Sequence, residues 1–176
     1  MTRDQPAELP LDPAPADVGP RPRFRPVHAR PLMWAAVAAG GAAGTAVRAL
    51  TSGALPHPAG GWPLDTFTVN VAGSFLLGVL LEALIRGGPD AGWRRTARLA
   101  AGTGFCGSLT TYSSLAVEAV LLAMRGQGSL AAGYAVASVL TGLVAVTTGI
   151  VAAAGWHRGR RRRGAVAAAV RGPGVR

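Results

Sequence analysis

Cysteine occurs once in this chain, at Cys106, and lysine does not occur at all. A lone thiol excludes an intrachain disulfide and any metal site built from several thiolates, so a small buried thiol is its plain role. Charged residues make up only 15% of the chain against 49% hydrophobic, too few to clothe a water-facing globule of this length. The three histidines, His28, His57 and His157, all lie outside the apolar runs, and His57 stands between prolines with no second ligand nearby. Those runs also lack paired carboxylates and any serine with a base in reach. A nucleophile, an acid–base pair and a metal are all missing, so the chain reads as no enzyme. Nor does a short apolar core with a small-residue cleavage site precede residue 32, and a removable signal peptide is not expected.

Four apolar runs are present, at about 32–53, 64–85, 96–124 and 129–156. They predict an all-α integral membrane protein of four transmembrane helices occupying 31–156. Almost nothing remains for a soluble domain. Residues 1–30, with seven of the thirteen prolines, read as a disordered Pro/Arg-rich tail, and 157–176 as a basic tail. So few helices enclose little interior, and an oligomer is expected to cover the polar positions within the spans.

All 18 basic residues are arginine, and the formal net charge is +10. Their placement argues for membrane topology rather than nucleic acid. Five precede the first run, four join the second and third, and seven follow the fourth; the other two connections carry only Arg125, and Arg48 lies within the first run. A bias of 16 against 1 predicts both termini and the middle loop in the cytoplasm of a multi-pass plasma-membrane protein. The last arginine cluster, 158–163, reads as a topology and lipid-surface anchor.

The third run is the most informative. Its 29 residues exceed the roughly 20 that cross a bilayer as one helix, and its centre is polar. Gly102, Gly104 and Gly107 weaken helix there, while Thr110, Thr111, Ser113 and Ser114 offer hydroxyls to backbone groups that lose helical partners. A helix broken at its centre is predicted. Beyond the break, Tyr112 and Leu115 share one face and Thr111, Ser114 and Glu118 a neighbouring one.

Polar stripes mark the other runs. Gly40, Gly44 and Arg48 recur every four residues, as on a helix packed closely against another. Arg48 reads either as an anchor whose head snorkels to the interface or as a positive field for an anion. Thr66, Asn70, Ser74 and Gly78 form a stripe in the second run. Asn70 reads equally as a structural bridge or as a donor to a permeating anion. Glu82 and Arg86, at i and i+4, predict an interfacial pair. Tyr134, Ser138, Thr141 and Thr148 align more loosely in the fourth run. A proton-coupled cation or drug exporter would want a midplane carboxylate; an anion path lined by hydroxyl and amide donors fits these residues better.

Three segments, 40–48 (GGAAGTAVR), 67–78 (FTVNVAGSFLLG) and 104–115 (GFCGSLTTYSSL), together resemble the CrcB/Fluc fluoride ion channels, over about 31–156. The resemblance implies four-helix subunits joined antiparallel into a dimer with two narrow pores that passively release fluoride from the cell. It assigns Asn70 and Arg48 to the fluoride path, with Tyr112, Ser113, Ser114 and Leu115 from the broken helix and Glu118, Tyr134 and Ser138 beside it. It also implies a structural Na+ at the dimer interface, held by backbone carbonyls at Gly107 and Thr110. The family pattern has two phenylalanines where this chain has Tyr112 and Leu115, and a glycine where it has Ser108. Leucine cannot present a positive ring edge to an anion. That departure and the one-sided charge lead us to expect a heterodimer with a paralogue of opposite bias, and leave a non-conducting or half-competent structural subunit as the alternative.

Overall fold

Pro31 opens the first helix, where its missing N–H loses nothing and its fixed φ suits the turn. In the computed structural model α1 runs Pro31–Ala54 and α2 Leu64–Gly87. The structure describes residues 30–55 and 60–171, so the reading of 1–29 as a tail and of His57 as solvated lies outside the described residues. After a turn at Gly88, α3 (Trp93–Ala97) continues into a π-helical segment, Arg98–Cys106, and one short turn, α4 (Gly107–Leu109). Then Thr110 and Thr111 are extended, at φ −82°, ψ 154° and φ −149°, ψ 123°. Helix resumes as α5 (Tyr112–Met124), and α6 runs Gly128–Arg171.

The third span is therefore broken, as the sequence predicts, but at the two threonines and not at the glycines. Gly102 and Gly104 instead sit inside the wide π turns, where i→i+5 bonding loosens the helix without interrupting it. α6 also outruns expectation. Its 44 residues reach about 66 Å at 1.5 Å per residue, far more than the hydrocarbon thickness, so the arginine-rich stretch continues the last span as helix.

Three stretches, Leu64–Gly87, Trp93–Met124 and Gly128–Arg160, are long and apolar enough to cross a membrane. α1 has the length, at 24 residues, but is built of Ala and Gly around Arg48 and is less apolar. Small residues serve contact here. A Cβ on Gly40 would stand 1.9 Å from the Ala100 carbonyl oxygen, and one on Gly104 2.5 Å from that of Val37. α1 and the π segment thus touch backbone to backbone, as small residues permit in lipid. The same device joins α2 to α6. Gly78 faces the Val146 carbonyl and Gly149 that of Phe75, each at 2.3 Å from a notional Cβ.

At the opposite end of α2, Trp62 meets Phe67 and Tyr134 edge to face, at centroid distances of 5.7 and 5.5 Å. They join a small core of Leu122, Ala131 and Tyr134 against which Leu115 packs. In the α2–α3 loop, Asp90 accepts from Arg98 at 2.8 Å and its carbonyl oxygen accepts from Arg95 at 2.6 Å. The Arg98 hydrogen bond holds the Asp90 carboxyl below its ordinary range. Glu82 and Arg86 form the expected pair.

Candidate functional site

The break is held open by a side chain 41 residues away. Asn70 Nδ2 donates to the Thr111 carbonyl at 2.9 Å, and the Thr111 N–H donates back to Asn70 Oδ1 at 2.7 Å. One amide thus replaces two backbone bonds that α-helix would have made, which is what non-helical chain at membrane depth requires. Thr111 does the same locally. Its hydroxyl accepts the Ser114 N–H at 3.1 Å, capping α5, and lies within hydrogen-bond distance of the Ser113 and Ser114 hydroxyls. Between the two readings of Asn70, the bridging one is realised, and one of its two N–H groups remains for another acceptor.

These diversions free two particular carbonyls. In continuous helix, Gly107 would accept from the Thr111 N–H and Thr110 from the Ser114 N–H. Both N–H groups are engaged elsewhere, and among the described residues no backbone bond bridging the break reaches either carbonyl. Gly107 is exposed and Thr110 half-buried. Two released carbonyls are hard oxygen donors, the ligand type that suits a cation such as Na+, and the residues present fit such an ion.

Beside the break lies a groove of about 480 Å³. Asn70 and Ser74 of α2, Thr111, Tyr112 and Leu115 of the broken span, and Ser138 of α6 contribute to its lining. Ser138 is 5% exposed, and its hydroxyl has no protein partner. Tyr112 is the opposite case. At 82% exposed, its ring stands largely clear of the rest of the chain.

Just beyond the groove is a second polar cluster. Glu118 accepts from Thr66 Oγ1 at 2.7 Å and from the Tyr134 hydroxyl at 2.6 Å. Tyr134 is wholly buried, and the carboxylate is bonded through both oxygens. The alignment of Thr66 with Asn70 foreshadows part of this. Buried Asp65, one residue before Thr66, also lies near this cluster; its place on the same turn of α2 is the sequence signal for it.

Other expected stripe members separate. The hydroxyls of Thr141 and Thr148 bond their own helix, to Ala137 and Val144 at 2.6 and 2.7 Å, and face no site. Arg48 is half-buried on α1, makes no ion pair among the described residues and does not line this groove. Ser113 and Ser114 lie at the groove's edge through Thr111 rather than in its lining. Among the described residues no group of histidine, cysteine and carboxylate could hold a metal through side chains.

A family model described as CrcB-like protein, Camphor Resistance (CrcB), matches residues 35–150, which include the groove, the break and the Glu118 cluster. Fluoride-specific ion channel FluC 1 of Mycobacterium tuberculosis is 47% identical over 113 residues, covering 64% of this chain and 83% of that protein. FluC 1 of Cutibacterium acnes is 43% identical over 113 residues, covering 64% and 79%. FluC 2 of Leifsonia xyli subsp. xyli is 45% identical over 139 residues, covering 76% of this chain and 93% of that protein. The match runs through every element that builds the site, and this chain belongs to the CrcB/FluC family.

Proposed function

We propose that this chain is a subunit of a fluoride-selective channel through which fluoride leaves the cytoplasm down its gradient. The observation that carries the reading is the buried, unpartnered Ser138 hydroxyl in a groove it shares with Asn70 and Thr111. A buried hydroxyl without a partner is unfavourable unless something occupies the space before it. A small anion accepts such donors, and low local polarity strengthens each bond that replaces its hydration. The groove is open on one side, and the exposed Tyr112 ring stands at its edge. A second subunit closes the path, and antiparallel pairing brings two breaks together at the centre. Na+ at that centre takes the carbonyls freed at Gly107 and Thr110 and offsets their exposure in a dry interface. Arg48, outside the groove of its own subunit, supplies positive potential across the pairing surface.

A half-competent subunit is the second reading, and Leu115 favours it. Its side chain packs against the core around Leu122 and Tyr134, and it offers no ring edge to the path. A cation exporter finds less support, since Glu82 is tied to Arg86 and Glu118 to Thr66 and Tyr134.

The test is fluoride efflux from liposomes, with chloride-loaded vesicles as control, for this chain reconstituted with a paralogue and for Ser138→Ala in the same assembly. Removing one hydrogen bond of about 1.5–3 kcal/mol to a charged partner lowers the fluoride rate by roughly ten- to a hundred-fold. Unchanged flux in Ser138→Ala removes Ser138 from the path; equal chloride release overturns fluoride selectivity.

A further inference from the structure

Beyond the Gly149–Phe75 crossing, toward the arginine-rich end of α6, a second groove of about 440 Å³ separates α2 from α6. Phe75, Val79 and Ala83 line it from α2, and Ala152, Ala153 and Trp156 from α6, with His157 completing the lining. Its wall is almost wholly apolar. Trp156 is shared with an adjoining hollow whose other borders are Gly159, Arg160 and Arg163. Residues 156, 160 and 163 stand at i, i+4 and i+7, so the tryptophan and the two arginines follow one helix face. The unbroken helix fixes that order, apolar groove first and cations about one to two turns above it.

Among the described residues neither arginine has an acidic partner, and no carboxylate lines either hollow. Glu82, beside Ala83 on α2, is committed to Arg86. An apolar slot continued by two uncompensated guanidinium groups is complementary to an amphiphile with an anionic head. The exposed Trp156 ring marks the level at which such a molecule changes from tail to head.

We propose that α2 and α6 form a specific site for an anionic phospholipid, with an acyl chain in the groove and its phosphate on Arg160 and Arg163. Guanidinium forks suit phosphate oxygens, and each basic residue near a charged bilayer adds to the attraction. The site lies apart from the groove around Asn70 and does not depend on what that groove conducts.

Native mass spectrometry of the full-length chain in detergent tests this, using phosphatidylglycerol and phosphatidylcholine with identical acyl chains. Two arginines give the anionic lipid a preference on the order of 30-fold. Arg160→Gln with Arg163→Gln brings the two lipids near parity while leaving some of each bound. Ala152→Phe, at an exposed position in the groove, displaces both. Parity in the unaltered chain overturns the site, and so does undiminished phosphatidylglycerol binding by Ala152→Phe, which would reduce the effect to surface charge. Quantitative cross-linking of a Cys106→Ala, Ala152→Cys chain to its own copy would also overturn it, because a second subunit would then occupy the groove.

Discussion

Asn70 closes two hydrogen bonds with one backbone unit, and so holds the break apart. Asn70→Ala leaves the Thr111 N–H and carbonyl without protein partners in a nonpolar setting. A loss of about 1–3 kcal/mol in stability is expected, together with loss of fluoride flux. Unfolding in mixed detergent and liposome efflux on the same preparation check the pair of outcomes. If Asn70 acted only on the passing anion, flux would fall and stability would not. The polar stripe of α2 was legible in the sequence because residues four apart share a helix face. What Asn70 binds was not, because a contact between positions 70 and 111 depends on how two helices cross. Ser138 gives the complementary lesson. Its hydroxyl was indistinguishable from those of Thr141 and Thr148 by spacing, and only packing shows that two bond their own helix while one is left unpaired.

At the scale of elements, backbone contact between α2 and α6 sets the geometry on which both grooves depend. Gly78 and Gly149 face opposing carbonyls, so that any added Cβ pushes the helices apart. Gly149→Leu forces side-chain atoms into the space occupied by Phe75 backbone and is expected to destabilise the fold by about 1–3 kcal/mol. Thermal unfolding of the detergent-solubilised chain reads this, and Gly155→Leu, at a glycine with open space around it, serves as the control with little change. The helices themselves were readable from long apolar runs, and a break in the third from its length and polarity. The π segment was not. Its composition weakens helix at Gly102 and Gly104, but apolar spacing over nine residues does not separate i→i+5 from i→i+4 bonding. At the interruption, which falls after Leu109 instead of among the glycines, the Thr111 hydroxyl caps α5, whereas the Thr110 hydroxyl bonds back to the Cys106 carbonyl.

For the whole molecule, the decisive quantity is the distribution of arginine. By the sequence, sixteen fall on one side of the four apolar runs and one on the other, and the arginine cluster is carried on the same continuous helix as the last run. Such a bias predicts one orientation for every copy. The proposed antiparallel pairing needs copies of both orientations, so we propose that this chain assembles with a paralogue of opposite bias and stays unpaired when produced alone. Reporters fused after Arg176 are expected to lie on the cytoplasmic side in every copy, and vesicles holding this chain alone are expected to retain fluoride. The inference is sharpened by moving the charge. Arg94, Arg95, Arg158 and 160–163 changed to glutamine, with lysines introduced at Ser52 and Ser129, weaken the bias while leaving Asn70, the break and the groove intact. Dual orientation should then appear, and with it self-assembly, detectable as cross-linked dimers between copies of opposite topology. If the unaltered chain alone already released fluoride rapidly and selectively, copies of both orientations would exist in spite of the arginines, and the heterodimer would be excluded while the channel reading stood.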